Sequence, residues 1–263
     1  MNLNKLIITK RLVLIPLILV FSCLCYGKIN IIVVYNNVTY NKNLKTNWGL
    51  SIYISGLTKN ILFDTGGNGK ILLYNIAKLK IDIKDIDVIF LSHIHYDHVG
   101  GLWSILERNR NISVYMLSSF PEDFKTKVSK IAKDVIYVDK PTKICTKVYS
   151  TGQLGNLIKE QSLVIETKRG LVIITGCAHP GIVRIVKFVK NYFKKDVYLV
   201  LGGFHLMGYN KNQVRDIIKD LKEFRVKKVG PSHCTGGIPI EMFRKVWNKD
   251  FISLGCGAEI EIR

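Results

Sequence analysis

Short runs of apolar residues, rich in Ile and Val, recur along the chain and alternate with longer stretches of helical periodicity. Runs of this length and composition are typical of buried strands. They predict strands over 29–35, 50–54, 61–63, 88–91, 163–166, 171–175, 197–201, 226–229 and 259–262. Helices are predicted between several of them, over 71–79, 101–107, 182–193, 212–224 and 240–247. This alternation indicates an α/β fold. Because no long linker interrupts it, we expect a single domain.

The N-terminal segment, residues 1–27, has a different pattern from the remainder of the chain. Basic but no acidic residues lie within 1–11, and residues 12–26 are almost wholly apolar. This apolar run is shorter than the ~20 residues that a helix needs to cross a bilayer, so 1–27 is predicted to be a signal peptide or membrane anchor. Cleavage after Gly27 is favoured, and the alternatives are lipid attachment at Cys23, an uncleaved anchor or a buried element. We expect residues 28–263 to form the folded domain of an exported or anchored protein, or of a cytoplasmic one if this interpretation is wrong.

The composition is that of a globular protein with excess positive charge. Of the 263 residues, 48% are hydrophobic and 22% are charged, which excludes a disordered or fibrous chain. The formal net charge of +19 favours an anionic partner, although most of the basic residues are lysines of the kind that cover ordinary surfaces. Beyond the N-terminal segment, four cysteines have a spacing that forms no CxxC motif and no disulfide framework: Cys145, Cys177, Cys234 and Cys256.

The histidines are the strongest functional signal in the sequence. All of them are predicted to lie in or beside loops that follow strands, whereas core or surface histidines would be scattered: His93, His95, His98, His179, His205 and His233. Four predicted strands end shortly before a histidine. The carboxyl ends of strands form the edge at which ligands bind in open α/β sheets. We therefore expect the histidines to line one site.

Half of the histidines fall in the segment 93–98, together with Asp97. Imidazole and carboxylate groups together suit Zn²⁺, Fe or Mn²⁺, with Zn²⁺ favoured for this donor set. Within a loop, His93 and His95 can turn towards one ion, while Asp97 and His98 can contact a second ion close by. The segment predicts a site for one or two divalent metal ions per chain.

Five segments of the sequence resemble motifs of one protein family. Ser-His-x-His-x-Asp-His-x-Gly-Gly resembles the first metal motif of the metallo-β-lactamase superfamily. The other motifs resemble the branch typified by the dihydropterin-ribofuranosylaminobenzene 5′-phosphate synthases and their bacterial relatives. The five segments are 92–101, 61–66, 175–183, 202–206 and 233–236. The resemblance implies a four-layer αβ/βα sandwich over 28–263, with a metal site at one edge between its halves.

The resemblance also implies roles for individual residues. The metal ligands would be His93, His95, Asp97, His98, His179 and His233. Asp97 would in addition orient the attacking water. His205 would donate a proton or contact the substrate, with metal ligation or support of a ligand residue as the alternatives. Asp64 would support a ligand histidine or form a simple turn.

The sequence departs from the family in two places: the segment 143–156 is shorter and more divergent, and no Asp falls in the loops that usually supply a bridging carboxylate. Cys177, His179 or water would fill this position, and for Cys177 we favour the simpler role of a small buried residue. Basic residues that follow the motif loops are candidate contacts for an anionic substrate, with exposed surface charge as the alternative: Lys70, Arg184 and Lys211.

The expected function is that of a metal-dependent hydrolase or phosphate-group transferase. Its substrate would be small, anionic and phosphorylated, and metal-activated water would attack it. A nuclease or phosphodiesterase is one alternative, but the chain has no basic stripe interleaved with aromatic residues. An exported lactam or lactone hydrolase and a non-catalytic metal-binding protein are the others. Membrane contact is expected only through the N-terminal segment.

Overall fold

The computed structural model describes residues 28–263. The predicted signal peptide or anchor, with its cleavage point after Gly27 and its lipid attachment at Cys23, lies outside the described residues. Within 28–263, no helix is both long enough and apolar enough to cross a membrane.

Two mixed β-sheets form the centre of the molecule. The seven-stranded first sheet has the order β13-β1-β2-β3-β4-β5-β6, and the six-stranded second sheet has the order β12-β11-β10-β9-β8-β7. The strands of the first sheet are β1 (Ile29–Tyr35), β2 (Ser51–Ser55), β3 (Ile61–Phe63), β4 (Val88–Phe90), β5 (Ser113–Leu117), β6 (Asp134–Val138) and β13 (Glu259–Ile262). Those of the second are β7 (Thr142–Cys145), β8 (Val148–Ser150), β9 (Leu163–Thr167), β10 (Gly170–Thr175), β11 (Val197–Gly203) and β12 (Lys228–Ser232).

Helices cover the outer face of each sheet. They are α1 (Gly69–Lys78), α2 (Tyr96–Val99), α3 (Leu102–Leu106), α4 (Glu122–Ser129), α5 (Ile182–Phe193), α6 (Lys211–Glu223) and α7 (Gly237–Trp247). Apolar residues of α1 to α4 form one core with the first sheet, and those of α5 to α7 form another with the second. A third core lies between the two sheets. The order helix, sheet, sheet, helix confirms the predicted four-layer αβ/βα sandwich.

The central strands are buried on both faces, and this burial explains why unbroken apolar runs predicted them well. In β10, Val172 and Ile174 belong to the core between the sheets, while Leu171 and Ile173 pack in the core shared with the outer helices. A strand buried on both faces carries apolar residues at successive positions rather than at alternate ones. The runs therefore indicated the central strands to within a few residues.

The two strands at one end of each sheet were not predicted. No strand was expected at β5, β6, β7 or β8, and no helix at α4. In β6 and β7 most residues are half-buried or exposed, so polar side chains interrupt the apolar pattern. The strand predicted over 226–229 instead runs over Lys228–Ser232. These elements depend on their neighbours in the sheet, and a single run of sequence cannot show those neighbours.

The core between the sheets contains a pair of aromatic rings, and truncation of one of them should lower the free energy of unfolding. Phe63 and Phe90 are both fully buried, and their ring centroids lie 5.4 Å apart. We expect Phe90→Ala to lower the free energy of unfolding by about 3–5 kcal/mol, because it leaves a cavity that the two rigid sheets cannot close. Urea unfolding measures this loss. The matched change at the exposed Leu157, Leu157→Ala, should shift it by less than about 0.5 kcal/mol. Equal losses for the two variants would contradict the assigned core.

Candidate metal centre

The site lies where loops from both sheets meet. His93 follows β4 of the first sheet, while His179, His205 and His233 follow β10, β11 and β12 of the second. The predicted arrangement, in which strands deliver histidines at their carboxyl ends, is therefore present. His98 differs in one respect, since it lies within the short helix α2 rather than in a loop.

A first donor group consists of His93, His95 and His179, whose ligand atoms all lie within 4.8 Å of one another. His95 Nδ1 is 3.2 Å from His179 Nε2. The Nε2 atom of His93 is buried and has no hydrogen-bond partner. A buried polar atom without a partner is costly, and a metal ion would satisfy it. These three imidazoles fit a metal ion of the Zn²⁺ type.

A second donor group adjoins the first and contains Asp97, His98, Cys177 and His233. His98 Nε2 lies 3.2 Å from both His233 Nε2 and Cys177 Sγ. Asp97 Oδ2 is 3.2 Å from His233 Nε2. The rings of His93 and His98 connect the two groups, with centroids 4.2 Å apart. Two adjacent groups of this kind could hold two divalent ions.

The six predicted ligands are all present in these two groups, and Cys177 joins them. The sequence favoured a space-filling role for this cysteine, and it is indeed buried. Its sulfur, however, lies among the donor atoms of the second group, where a thiolate would be an additional soft ligand. His179 belongs to the first group.

Asp64 supports two of the histidines. Its Oδ2 atom is 2.6 Å from His98 Nδ1 and accepts a hydrogen bond from Ser92 Oγ at 2.7 Å. Ser92 Oγ also lies 2.9 Å from His93 Nδ1. The backbone of Asp64 is held in the left-handed region, with φ of 53°. A carboxylate that orients ligand imidazoles is a frequent feature of metal sites, and Asp64 has this role rather than that of a simple turn.

Two further residues that support the site were not predicted from the sequence. Asn37 Oδ1 lies 2.9 Å from His233 Nδ1 and so orients that ring. Glu160 is fully buried, and its carboxylate accepts hydrogen bonds from the backbone N–H groups of four consecutive residues, 176–179, at 2.8–3.0 Å. This loop carries Cys177 and His179. Burial raises the pKa of Glu160 to about 7, although the backbone hydrogen bonds oppose this shift.

The electrostatics of three of the predicted ligands suit metal binding at neutral pH. Burial and the neighbouring imidazoles hold the pKa of His93 well below its usual value, and burial lowers the pKa of His179 to about 4. Burial alone would raise the pKa of Asp97, but the hydrogen bond from His233 and the nearby His98 lower it to about 2. Both imidazoles are therefore neutral and the carboxylate is charged, as ligands must be.

His205 belongs to neither of these two groups. Its ring centroid is 4.3 Å from that of His179, and its side chain is exposed. Its backbone φ is 52°. A hydrogen bond with Cys234 raises the pKa of His205 above its usual value. This position beside the first donor group is compatible with the predicted role in proton donation or substrate contact.

A cavity of about 430 Å³ opens beside the metal centre. His179 and His205 line one part of it, and the exposed Tyr209 contributes aromatic surface. The cations in its wall are Arg184 and Lys187, both exposed. Of the basic residues selected from the sequence, Arg184 therefore lies at the cavity, whereas Lys70 and Lys211 do not line it.

Known proteins share both the sequence motifs and the fold of this chain. A family model described as the metallo-beta-lactamase superfamily matches residues 49–186. The chain belongs to the metallo-beta-lactamase superfamily. Within it, the chain is 30% identical over 288 residues to the 7,8-dihydropterin-6-methyl-4-(beta-D-ribofuranosyl)-aminobenzene-5'-phosphate synthase of Methanocaldococcus jannaschii. That match covers 89% of this chain and 98% of the synthase. The predicted resemblance to this branch is confirmed.

Solved structures agree with this placement. The chain is similar to a crystal structure described as a metal-dependent hydrolase of the beta-lactamase superfamily, with a TM-score of 0.78 and 26% identity over 89% of this chain and 99% of that one. It also shares the fold of the short form of human tRNase Z, with a TM-score of 0.60 and 14% identity over 88% of this chain and 98% of that one. The second similarity shows the fold alone.

Proposed function

We propose that this protein is a metal-dependent hydrolase or phosphate-group transferase that acts on a small, phosphorylated substrate. The observation that carries the proposal is the position of the two adjacent donor groups beside a cavity that has cations in its wall. A purely structural metal site would be closed by its ligands and would need no adjoining cavity.

Two divalent ions, held by the six predicted ligands and Cys177, would polarise a phosphoryl oxygen and activate a water molecule. The chain's own residues define where this happens. Asp97 is charged at neutral pH and is partly exposed, so it can both bind an ion and orient water. His205 is exposed at the cavity and is placed to protonate a leaving group there.

The cavity wall suits an anion with an apolar body. Arg184 and Lys187 can bind a phosphate group through charge-assisted hydrogen bonds. The exposed Tyr209 and the half-buried Val183 and Ile217 form aromatic and apolar surface against which a ring can pack. The name of the archaeal synthase, which includes a 5'-phosphate, supports a phosphorylated substrate for this chain as well.

A variant of Arg184 tests the proposal. The full chain, loaded with Zn²⁺ or Mn²⁺, is assayed against p-nitrophenyl phosphate, its diester bis-p-nitrophenyl phosphate, neutral p-nitrophenyl acetate and nitrocefin. We expect metal-dependent turnover of a phosphoester. Arg184→Ala should raise KM for that ester about 10-fold, because a charge-assisted hydrogen bond is lost, and should leave the acetate reaction unchanged.

Lys211→Ala is the matched control, because Lys211 is an exposed cation that does not line the cavity. It should leave KM for the phosphoester unchanged. Faster turnover of nitrocefin than of either phosphoester would instead support a lactam hydrolase. Turnover of the diester alone, together with cleavage of nucleic acid, would support a nuclease.

A further inference from the structure

A third cluster of metal-binding side chains lies next to the two donor groups. The loops after β10, β11 and β12 carry Cys177, His205 and Cys234, and the ligand atoms of these residues all lie within 4.8 Å of one another. Both cysteines are free and buried, while His205 is exposed. The cluster shares only Cys177 with the second donor group.

The surrounding backbone is shaped to bring the two cysteines together. A Cβ atom at Gly203 would lie 2.7 Å from Cys234 Sγ and 3.1 Å from Cys177 Cα, so only glycine fits at the end of β11. The Cys234 thiol donates a hydrogen bond to the carbonyl oxygen of Cys177 at 3.6 Å. The two thiols are therefore neighbours, and their sulfur atoms lie within 4.8 Å of each other.

Each of the three loops also contains a residue in the left-handed region. The φ angles are 59° at Ala178, 52° at His205 and 52° at His233, so the strained residue is one of the three donors or lies next to one. Such conformations are strained for residues other than glycine and persist mainly at functional sites. All three loops are therefore strained at or next to a donor residue.

We propose that Cys177, His205 and Cys234 form a third metal site for a thiophilic ion such as Zn²⁺ or Cd²⁺. Two thiolates and one imidazole are a donor set that binds Zn²⁺ with its fourth position open. The Cys177 sulfur, which has more than one lone pair, is shared with the second donor group. Because His205 also lines the cavity, the open position is accessible from solvent. The third site shares Cys177 and His205 with the function proposed above, and while His205 binds an ion it does not serve there as the proton donor.

Metal titration of single variants tests the third site. The full chain is purified in reduced form, stripped of metal and titrated with Cd²⁺, and bound ions are counted by elemental mass spectrometry. The ultraviolet thiolate-to-cadmium band reports on sulfur ligands directly. We expect Cys234→Ser to reduce the count by about one ion per chain and the band by about half, because one of two thiolates is lost.

His205→Ala provides a second variant that tests the site without altering a buried residue. It should weaken binding of the same ion at least about 10-fold, and because the side chain is exposed the fold should be retained. Cys145→Ser is the matched control, since Cys145 is a half-buried cysteine of β7 that belongs to none of the three donor groups. It should change neither the count nor the band.

Two results would overturn the third site. One is an unchanged ion count and band in Cys234→Ser, and the other is a disulfide between Cys177 and Cys234 in the freshly isolated protein, detected by non-reducing peptide mapping. Turnover is not part of this test. A chain that shows the cadmium band and the variant differences but hydrolyses no ester would refute the proposed function and leave the third site standing.

Discussion

Replacing His93 by alanine should remove one metal ion and should destabilise the metal-loaded protein more than the metal-free protein. His93 is fully buried, and its Nε2 atom faces the first donor group without a hydrogen-bond partner. Loss of this ligand should weaken binding of the ion at least about 100-fold, since loss of a mere supporting contact already costs 10–100-fold. Without metal, the variant loses only packing and a poorly satisfied polar atom, so its stability should change little.

Two measurements test these expectations for His93→Ala. Elemental mass spectrometry should find about one ion fewer per chain than in the unaltered protein. Thermal unfolding with and without Zn²⁺ should show that the stabilisation by metal is reduced, since a ligand that binds only the folded state stabilises it in proportion to its affinity. The control is Tyr96→Phe, because Tyr96 lies in the same segment but is 73% exposed. A full metal content in His93→Ala would remove His93 from the ligand set.

Replacing Glu160 by alanine should affect both the stability of the protein and its metal content. Four backbone N–H groups of residues 176–179 donate to this one buried carboxylate. Leaving such groups unsatisfied costs about 1–3 kcal/mol each, so we expect a loss of at least about 3 kcal/mol of unfolding free energy. Because the loop carries His179 and Cys177, metal affinity should also fall about 10–100-fold.

A conservative variant distinguishes the effect of losing the carboxylate from the effect of losing side-chain volume. Glu160→Gln keeps the volume of the side chain but presents an amide group to part of the N–H array, so its stability and metal affinity should lie between those of the unaltered chain and Glu160→Ala. Glu223→Gln, at an exposed position on α6, is the matched control and should behave as the unaltered chain does. Normal metal affinity in Glu160→Ala would show that the loop keeps its shape without the carboxylate.

Short-range features of the sequence were enough to predict much of the site. His93, His95, Asp97 and His98 lie so close together in the chain that one turn after β4 is sufficient to bring them to the same place. His179 and His233 follow strands of the second sheet, and the ends of neighbouring parallel strands meet at one edge. For this reason the six expected ligands lie together in the structure.

Long-range contacts explain what was missed. Glu160 is a single acidic residue in an irregular segment, and its importance arises only when the loop 176–179 turns its N–H groups towards it. Asn37 is separated from His233 by 196 residues, so no local pattern links them. For Cys177, the sequence favoured a space-filling role, and only the folded chain shows that its sulfur lies 3.2 Å from His98 Nε2, among the donor atoms.

Short stretches of sequence were sufficient to identify the family, the four-layer fold and the imidazole and carboxylate donors, because the motifs at strand ends and the apolar runs of doubly buried strands are local patterns. The division of the donors into groups, the residues that orient them and the adjoining cavity become visible only in the folded chain. These properties depend on the packing of one sheet against the other. That packing brings together atoms that no local sequence pattern relates.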